Sequence, residues 1–200
     1  MPTAKVLDIS HHNTVSSFDD IKDAGIVGII HKATQGVAMV DAMYAKRRQA
    51  ALDAGLLWGA YHFATGDDVD LQVKHFLDTA KPDGQTLMAL DHEPNNGDEL
   101  DLDGAQAFLE SARDQLGRKL VLYSGNLIKE QLGDDDNEFF GSHRLWLAQY
   151  GPVPRPQASW DKPWLWQYSE HGVVPGASGS LDLNSYSFPD EQLKAEWASG

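Results

Sequence analysis

The run Thr86-Leu87-Met88-Ala89-Leu90-Asp91-His92-Glu93 is a short apolar stretch that ends abruptly in two carboxylates one residue apart. Pro82-Asp83-Gly84 precedes it and Pro94-Asn95-Asn96-Gly97 follows, so the run reads as a buried strand between two turns. Side chains alternate along a strand, so Asp91 and Glu93 point to the same side, roughly 6–7 Å apart at Cβ. Two acids this close repel when both are ionised, and one keeps its proton to higher pH. A general acid working beside an anion, as in glycoside hydrolysis, needs that arrangement. Capping of a following helix is the structural alternative for the same two residues.

The rest of the chain repeats the theme of a buried run ending in a polar group. Candidate strands are Lys5–Ser10, Val27–Thr34, Leu56–Phe63, Thr86–Glu93 and Leu120–Ser124, with helical patterns at Phe18–Ala24, Tyr44–Ala54, Val69–Ala80, Asp101–Leu116 and Asn126–Leu132. In Val69–Ala80, for example, Val69, Val73, Phe76, Leu77 and Ala80 share one helical face. Such alternation predicts a parallel sheet. Leu145–Tyr150, Trp164–Tyr168 and Leu181–Ser185 still read as strands, but the Pro-, Gly- and Ser-rich intervals between them carry no helical period. Eight strands with helices after only the first five predict an irregular TIM-like barrel, (β/α)5(β)3. A full eight-fold barrel usually needs about 250 residues, and dropping the last helices fits closure into 200 as one domain over residues 1–200. In α/β barrels chemistry sits at the C-terminal ends of the strands. Here the strand ends offer Asp8, Lys32, Tyr61 and His62, Asp91 and Glu93, Tyr123, Gln149, Gln167 and Asp182.

Composition narrows the function classes. The formal net charge of −14 argues against nucleic acid as a partner, since phosphate binding needs a basic face. It also opposes attraction to any anionic polymer, so recognition of a glycan rests on shape, stacking and hydrogen bonds. Six Trp and six Tyr are available for that, or for the core; Trp146, Trp164 and Trp166 fit either role. No apolar run is long enough to span a membrane, the N-terminal stretch reads straight into a strand rather than as a signal peptide, and there is no cysteine.

These residues together resemble the family 25 glycoside hydrolases, the muramidase-type lysozymes. The elements run in order from Leu7-Asp8-Ile9-Ser10 through His31-Lys32-Ala33-Thr34-Gln35-Gly36, Gly59-Ala60-Tyr61-His62-Phe63 and Leu90-Asp91-His92-Glu93. They continue with Leu145-Trp146-Leu147-Ala148-Gln149-Tyr150, Trp166-Gln167-Tyr168 and Leu181-Asp182-Leu183-Asn184. The resemblance implies a barrel of five β/α units followed by three strands. It implies cleavage of the β-1,4 bond between N-acetylmuramic acid and N-acetylglucosamine in peptidoglycan glycan strands, without a cofactor. Glu93 matches the family's acid/base, Asp91 its carboxylate partner, and Asp8 and Asp182 the further acids lining the site. Lys32, Tyr61, His62, Tyr123, Trp146, Gln149 and Gln167 are the expected substrate contacts. Gln35, where members often have Glu, and His92, where an apolar residue is common, depart from the pattern. Gln35 is expected outside the acid cluster, and His92 is expected to face away from the site.

Other chemistries fit less well. His11, His12, His62 and His92 with the acids suggest a metal-dependent deacetylase, but no His-x-x-x-His or comparable spacing supports it. His75 and His143 read as surface residues. Tyr123-Ser124-Gly125 lacks a nucleophile elbow. Lys32 reads as a lysine paired with carboxylates rather than a Schiff-base lysine, and Asp134-Asp135-Asp136 as a solvated loop. A non-catalytic glycan-binding barrel is the rival from another class; the complete set of four acids argues against it. Two routes to retention stay open, a carboxylate nucleophile or the substrate's own acetamido group. The chain is expected to act as a monomer on the cell wall, in the periplasm or outside the cell. It would arrive by phage lysis with a holin partner, or by a dedicated secretion system with an immunity partner.

Overall fold

The computed structural model describes residues 2–199. Eight strands close into a barrel: β1 (Ala4–Ile9), β2 (Gly28–Gln35), β3 (Leu57–Phe63), β4 (Leu87–His92), β5 (Val121–Ser124), β6 (Leu145–Ala148), β7 (Leu165–Gly172) and β8 (Leu181–Ser185). Neighbours from β1 to β7 pair in parallel, in chain order. The last strand differs from the parallel expectation. β8 runs antiparallel to both β7 and β1 and closes the ring between them. Helices α1 (Phe18–Asp23), α2 (Tyr44–Asp53), α3 (Val69–Ala80), α4 (Leu102–Leu116) and α5 (Asn126–Leu132) follow the first five strands. The architecture is the irregular (β/α)5(β)3 barrel.

Strand alternation divides the apolar residues into two cores. Val6, Ile30, Leu87, Ala89, Val121, Tyr123, Trp146 and Leu165 point into the barrel. Leu7, Ile9, Ile29, Trp58, Ala60, Met88, Leu90, Leu122, Leu145 and Leu147 point outward, toward the helices. Phe76 of α3 and Phe108 of α4 bury their rings in that outer layer. The helix starts are capped locally: Asp68 and Asp101 side chains accept the amides of Leu71 and Gly104 at 2.9 and 2.8 Å.

Two further helices lie outside the sequence pattern. α6 (Glu138–Gly141) is a single turn before β6, and α7 (Asp190–Glu196) follows β8. From α7 and the residue after it, Leu193 and Trp197 plug the end of the barrel where the parallel strands begin. Trp197 Nε1 donates to the Trp58 carbonyl at 2.8 Å. Gly28 makes room for that indole, because a Cβ there would lie 2.7 Å from it. Short ribbons at Met39–Val40 against β2, and at Thr14–Val15 with Ala177–Ser178, dress the opposite end. No described helix is long and apolar enough to cross a membrane.

Candidate active site

The end of the barrel opposite the α7 plug is open and acidic. On β4, Leu87 and Ala89 face inward, so Asp91 does too, and Glu93 continues the alternation one residue past the strand. On β1 the same logic turns Asp8 inward after Val6. Asp182 arrives by another route. It stands near the start of β8, not its end, and reaches the mouth because β8 runs backwards, which sets it opposite Asp8 in the ladder. The four acids line one hollow of about 230 Å³. Tyr61, Tyr123, Trp146 and Gln167 complete its walls and floor, together with Tyr150 and Glu170.

Asp8 is the most supported acid. Asn184 Nδ2 donates to its Oδ1 at 2.7 Å, and Gln167 Nε2 reaches both carboxylate oxygens at 3.1 Å. A second layer holds those amides. Trp146 Nε1 donates to Asn184 Oδ1 at 2.6 Å, and the Tyr123 and Tyr150 hydroxyls donate to Gln167 Oε1 at 3.1 and 3.3 Å. Burial raises the Asp8 carboxyl to about 6 despite these donors. Burial, then the nearby Asp8, raises Asp182 to about 8, so a proton is shared between the two at neutral pH.

Asp91 is 5% exposed, and its Oδ1 is buried with no protein partner. Burial and then repulsion from Glu93 push it well above the carboxylate range. Glu93, half-buried at the lip, is raised by burial and by Asp8 while Lys32 pulls it down. Glu93, Tyr123 and Tyr150 also border a second hollow of about 420 Å³, where Gln149 lies. Gln149 Oε1 accepts from Lys129 Nζ and from the Arg155 amide, both at 3.0 Å. Lys32 stands beside the acid mouth without forming an ion pair among the described residues; its Nζ donates to Gln35 Oε1 at 2.7 Å.

His62 does not belong to this mouth. It follows Tyr61 on β3, so it faces outward, is fully buried, and stacks on Phe108 with ring centroids 5.1 Å apart. Thr34 Oγ1 and Gln72 Oε1 hold its two ring nitrogens, at 2.8 and 3.1 Å. His92 also faces outward, toward Gln131 Oε1 at 2.7 Å. His143 is buried rather than on the surface, and its Nδ1 lies 3.0 Å from the Phe139 carbonyl oxygen. Trp146 is a buried floor residue, Trp166 lies on the outer face with Nε1 on the Gln149 carbonyl, and Trp164 sits at the plugged end beside Glu196. Sequence reasoning missed Tyr150 and Glu170 as site residues. Glu170 lies past the run Trp164–Tyr168 that marks its strand, whereas Tyr150 closes a motif already singled out. Among the described residues no group of three or more His, Asp or Glu is placed to hold a metal ion.

A closed barrel with acids gathered at the C-terminal ends of its parallel strands is the plan of a glycoside-hydrolase barrel. The model of glycosyl hydrolases family 25 matches residues 7–177, and the chain belongs to that family. It is 30% identical over 190 residues to an autolytic lysozyme of Clostridium acetobutylicum, covering 92% of this chain and 56% of the relative. The barrel superposes on a bacterial lysozyme from Streptomyces coelicolor with a TM-score of 0.87 at 25% identity, covering 96% and 95% of the two chains. A family GH25 lysozyme from Aspergillus fumigatus gives 0.83 at 27% identity, covering 98% and 99%. The chain spans 56% to 60% of the length of the first curated relatives it matches.

Proposed function

We propose that this chain is a retaining N-acetylmuramidase that cuts the β-1,4 bond between N-acetylmuramic acid and N-acetylglucosamine in peptidoglycan, with Glu93 as acid and then base. The observation that carries the reading is the Asp91–Glu93 pair: two interacting carboxyls on one side of one strand, both raised, in one hollow. An acid that keeps its proton near neutral pH is what protonation of a glycosidic oxygen requires.

Retention by the substrate's acetamido group suits the two environments. The buried Asp91 Oδ1 lacks a partner, and an acetamido N–H donates to it. That bond favours the ionised form of Asp91 and leaves the pair's proton on Glu93. Glu93 gives this proton to the leaving oxygen as the C–O bond breaks. The acetamido oxygen bonds to the anomeric carbon, and ionised Asp91 stabilises the positive charge on the ring so formed. Water then attacks the same carbon as the bond to the acetamido oxygen breaks and the acetamido group is restored, Glu93 takes the water's proton, and the β configuration returns. Asp8 and Asp182 serve as hydrogen-bonding partners for the sugar on the same side. The enzyme acts on the cell wall as a monomer.

Clearing of a cell-wall suspension by wild type and Glu93→Gln tests the assignment. Loss of a positioned general acid costs about 10²–10⁴-fold. A folded variant that keeps more than roughly a tenth of wild-type turnover refutes Glu93 as the acid on the same principle. Proton NMR of the first-formed anomer tests retention: β is expected, and α overturns it.

A further inference from the structure

We propose that Gln35 is a positioning residue that acts through Lys32 to set the pH at which the Asp91–Glu93 pair gives up its proton. The inference rests on the reading of Glu93 as the acid. On β2, Ile30 faces the barrel interior and Lys32 follows it two residues on. The ammonium lies over the Phe63 ring, 4.7 Å from its centroid, and donates to Gln35 Oε1 at 2.7 Å. Gln35 is itself fixed. It pairs with Met39 in the short ribbon, and the next amide, Gly36 N–H, donates to the Phe63 carbonyl at 3.1 Å. Gly36 has φ of +54°, and a Cβ there would lie 2.8 Å from Asp67 Oδ2, so the turn is tight.

The chemistry of the acceptor is what matters. An amide oxygen holds an ammonium in place and leaves its charge intact, whereas a carboxylate in the same position would hold it and cancel the charge. The other groups facing Lys32 do not neutralise it. Asp41, beyond the ribbon, is held by the His11 and Met43 amides at 2.8 and 2.9 Å and forms no ion pair with Lys32 among the described residues. His62 on β3 faces outward against Phe108, and burial keeps it uncharged above a pH of about 4, so it adds no charge beside Lys32. Burial lowers the Lys32 ammonium, while Asp91, Asp41 and Glu93 pull it back up. The positive field of Lys32 therefore falls on the acid pair and favours its ionised form. Gln35 keeps that field at full strength, and the pair releases its proton at lower pH than its burial alone would dictate.

The test is the pH profile of kcat/KM on a soluble glycan oligomer, whose alkaline limb reports the proton the acid must carry. Gln35→Glu exchanges an amide for a carboxylate of the same shape. It is expected to move that limb upward by about half to one pH unit, the size of one screened charge offsetting the ammonium. Lys32→Met is expected to move the limb the same way. A limb that stays within about 0.2 pH unit of wild type in folded Gln35→Glu, or moves to lower pH, overturns the proposal. Lys32→Met alone decides the matter should Gln35→Glu fail to fold, since an unmoved limb there removes the field on which the proposal depends. Glu93→Gln is measured alongside. If it is inactive while the limb is unmoved, only this inference fails; if it is active, the reading beneath it fails.

Discussion

Asp182→Asn is expected to slow the enzyme and yet make the folded protein more stable at alkaline pH. In the wild type, Asp8 is raised from 3.8 to about 6 and Asp182 from 3.8 to about 8. Between pH 4 and 8 the folded protein thus holds protons that the unfolded chain has released. Stability is highest near the acid end of that window, falls as pH rises, and levels off above about 8. A tenfold difference in proton affinity between folded and unfolded chain is worth about 1.4 kcal/mol. For buried Asp8 the rise amounts to about 3 kcal/mol; the larger rise of Asp182, which is partly exposed, is halved for solvent screening to about the same. One proton is shared between the two, so the contributions overlap, and a loss of about 3 kcal/mol between pH 5 and pH 8.5 is expected. Asn at position 182 removes one of the repelling charges and recovers about 2 kcal/mol of it. Urea unfolding at the two pH values measures this directly. Equal wild-type stability at both, or a variant no more stable than wild type at pH 8.5, would show that the paired acids are not under the electrostatic load described.

Asn184→Leu strands the Trp146 indole N–H and removes a donor from Asp8, so it is expected to cost about 3 kcal/mol in denaturant unfolding; in a Trp146→Phe background the cost should shrink, and an unchanged cost refutes the network. Gly125→Ala places a Cβ 2.7 Å from the Ala148 carbonyl oxygen and is expected to lower stability by about 1–3 kcal/mol; a melt identical to wild type refutes that contact. With a net charge of −14, clearing of an anionic cell wall should quicken as salt rises from about 10 to 100 mM while turnover of a neutral chito-oligomer stays flat; parallel responses would count against charge repulsion. Exhaustive dialysis against chelator is expected to leave turnover unchanged, and loss that zinc restores would point to metal-dependent deacetylation instead.

What the sequence disclosed followed from short-range periodicity. Alternation alone places Asp91 inside and His92 outside, because Leu87 and Ala89 share the face of Asp91. The same rule, applied to Tyr61 and His62, separates them; assigning both to the mouth overlooked that neighbours in a strand face opposite ways. Strand direction is a different matter. Nothing in Leu181–Ser185 says that it runs against its neighbours, so the reading that offers Asp182 at a strand end meets a residue at a strand start. Glu170 escaped because β7 continues to Gly172 through Ser169-Glu170-His171, where the apolar signal has ended but the ladder with β8 has not. The closing helix was readable in principle: Pro189 ahead of two acids, then Leu193 and Trp197 four apart, is a helix-start signature followed by one apolar face.

The backward run of β8 also governs when the site comes into being. Asn184 and Asp8, which meet at 2.7 Å, are 176 positions apart in the chain. β1 must wait for β8 before its outer edge is paired, a contact across a long stretch of sequence and of the kind that forms slowly. A growing chain that has already emerged past Glu93 holds its acid pair in a ring that is still open on one side. It lacks Asp182, the amide that steadies Asp8, and the plug that follows. Chemical competence is therefore withheld until β8 has been made and has closed the ring, and a barrel still lacking its eighth strand is a harmless one.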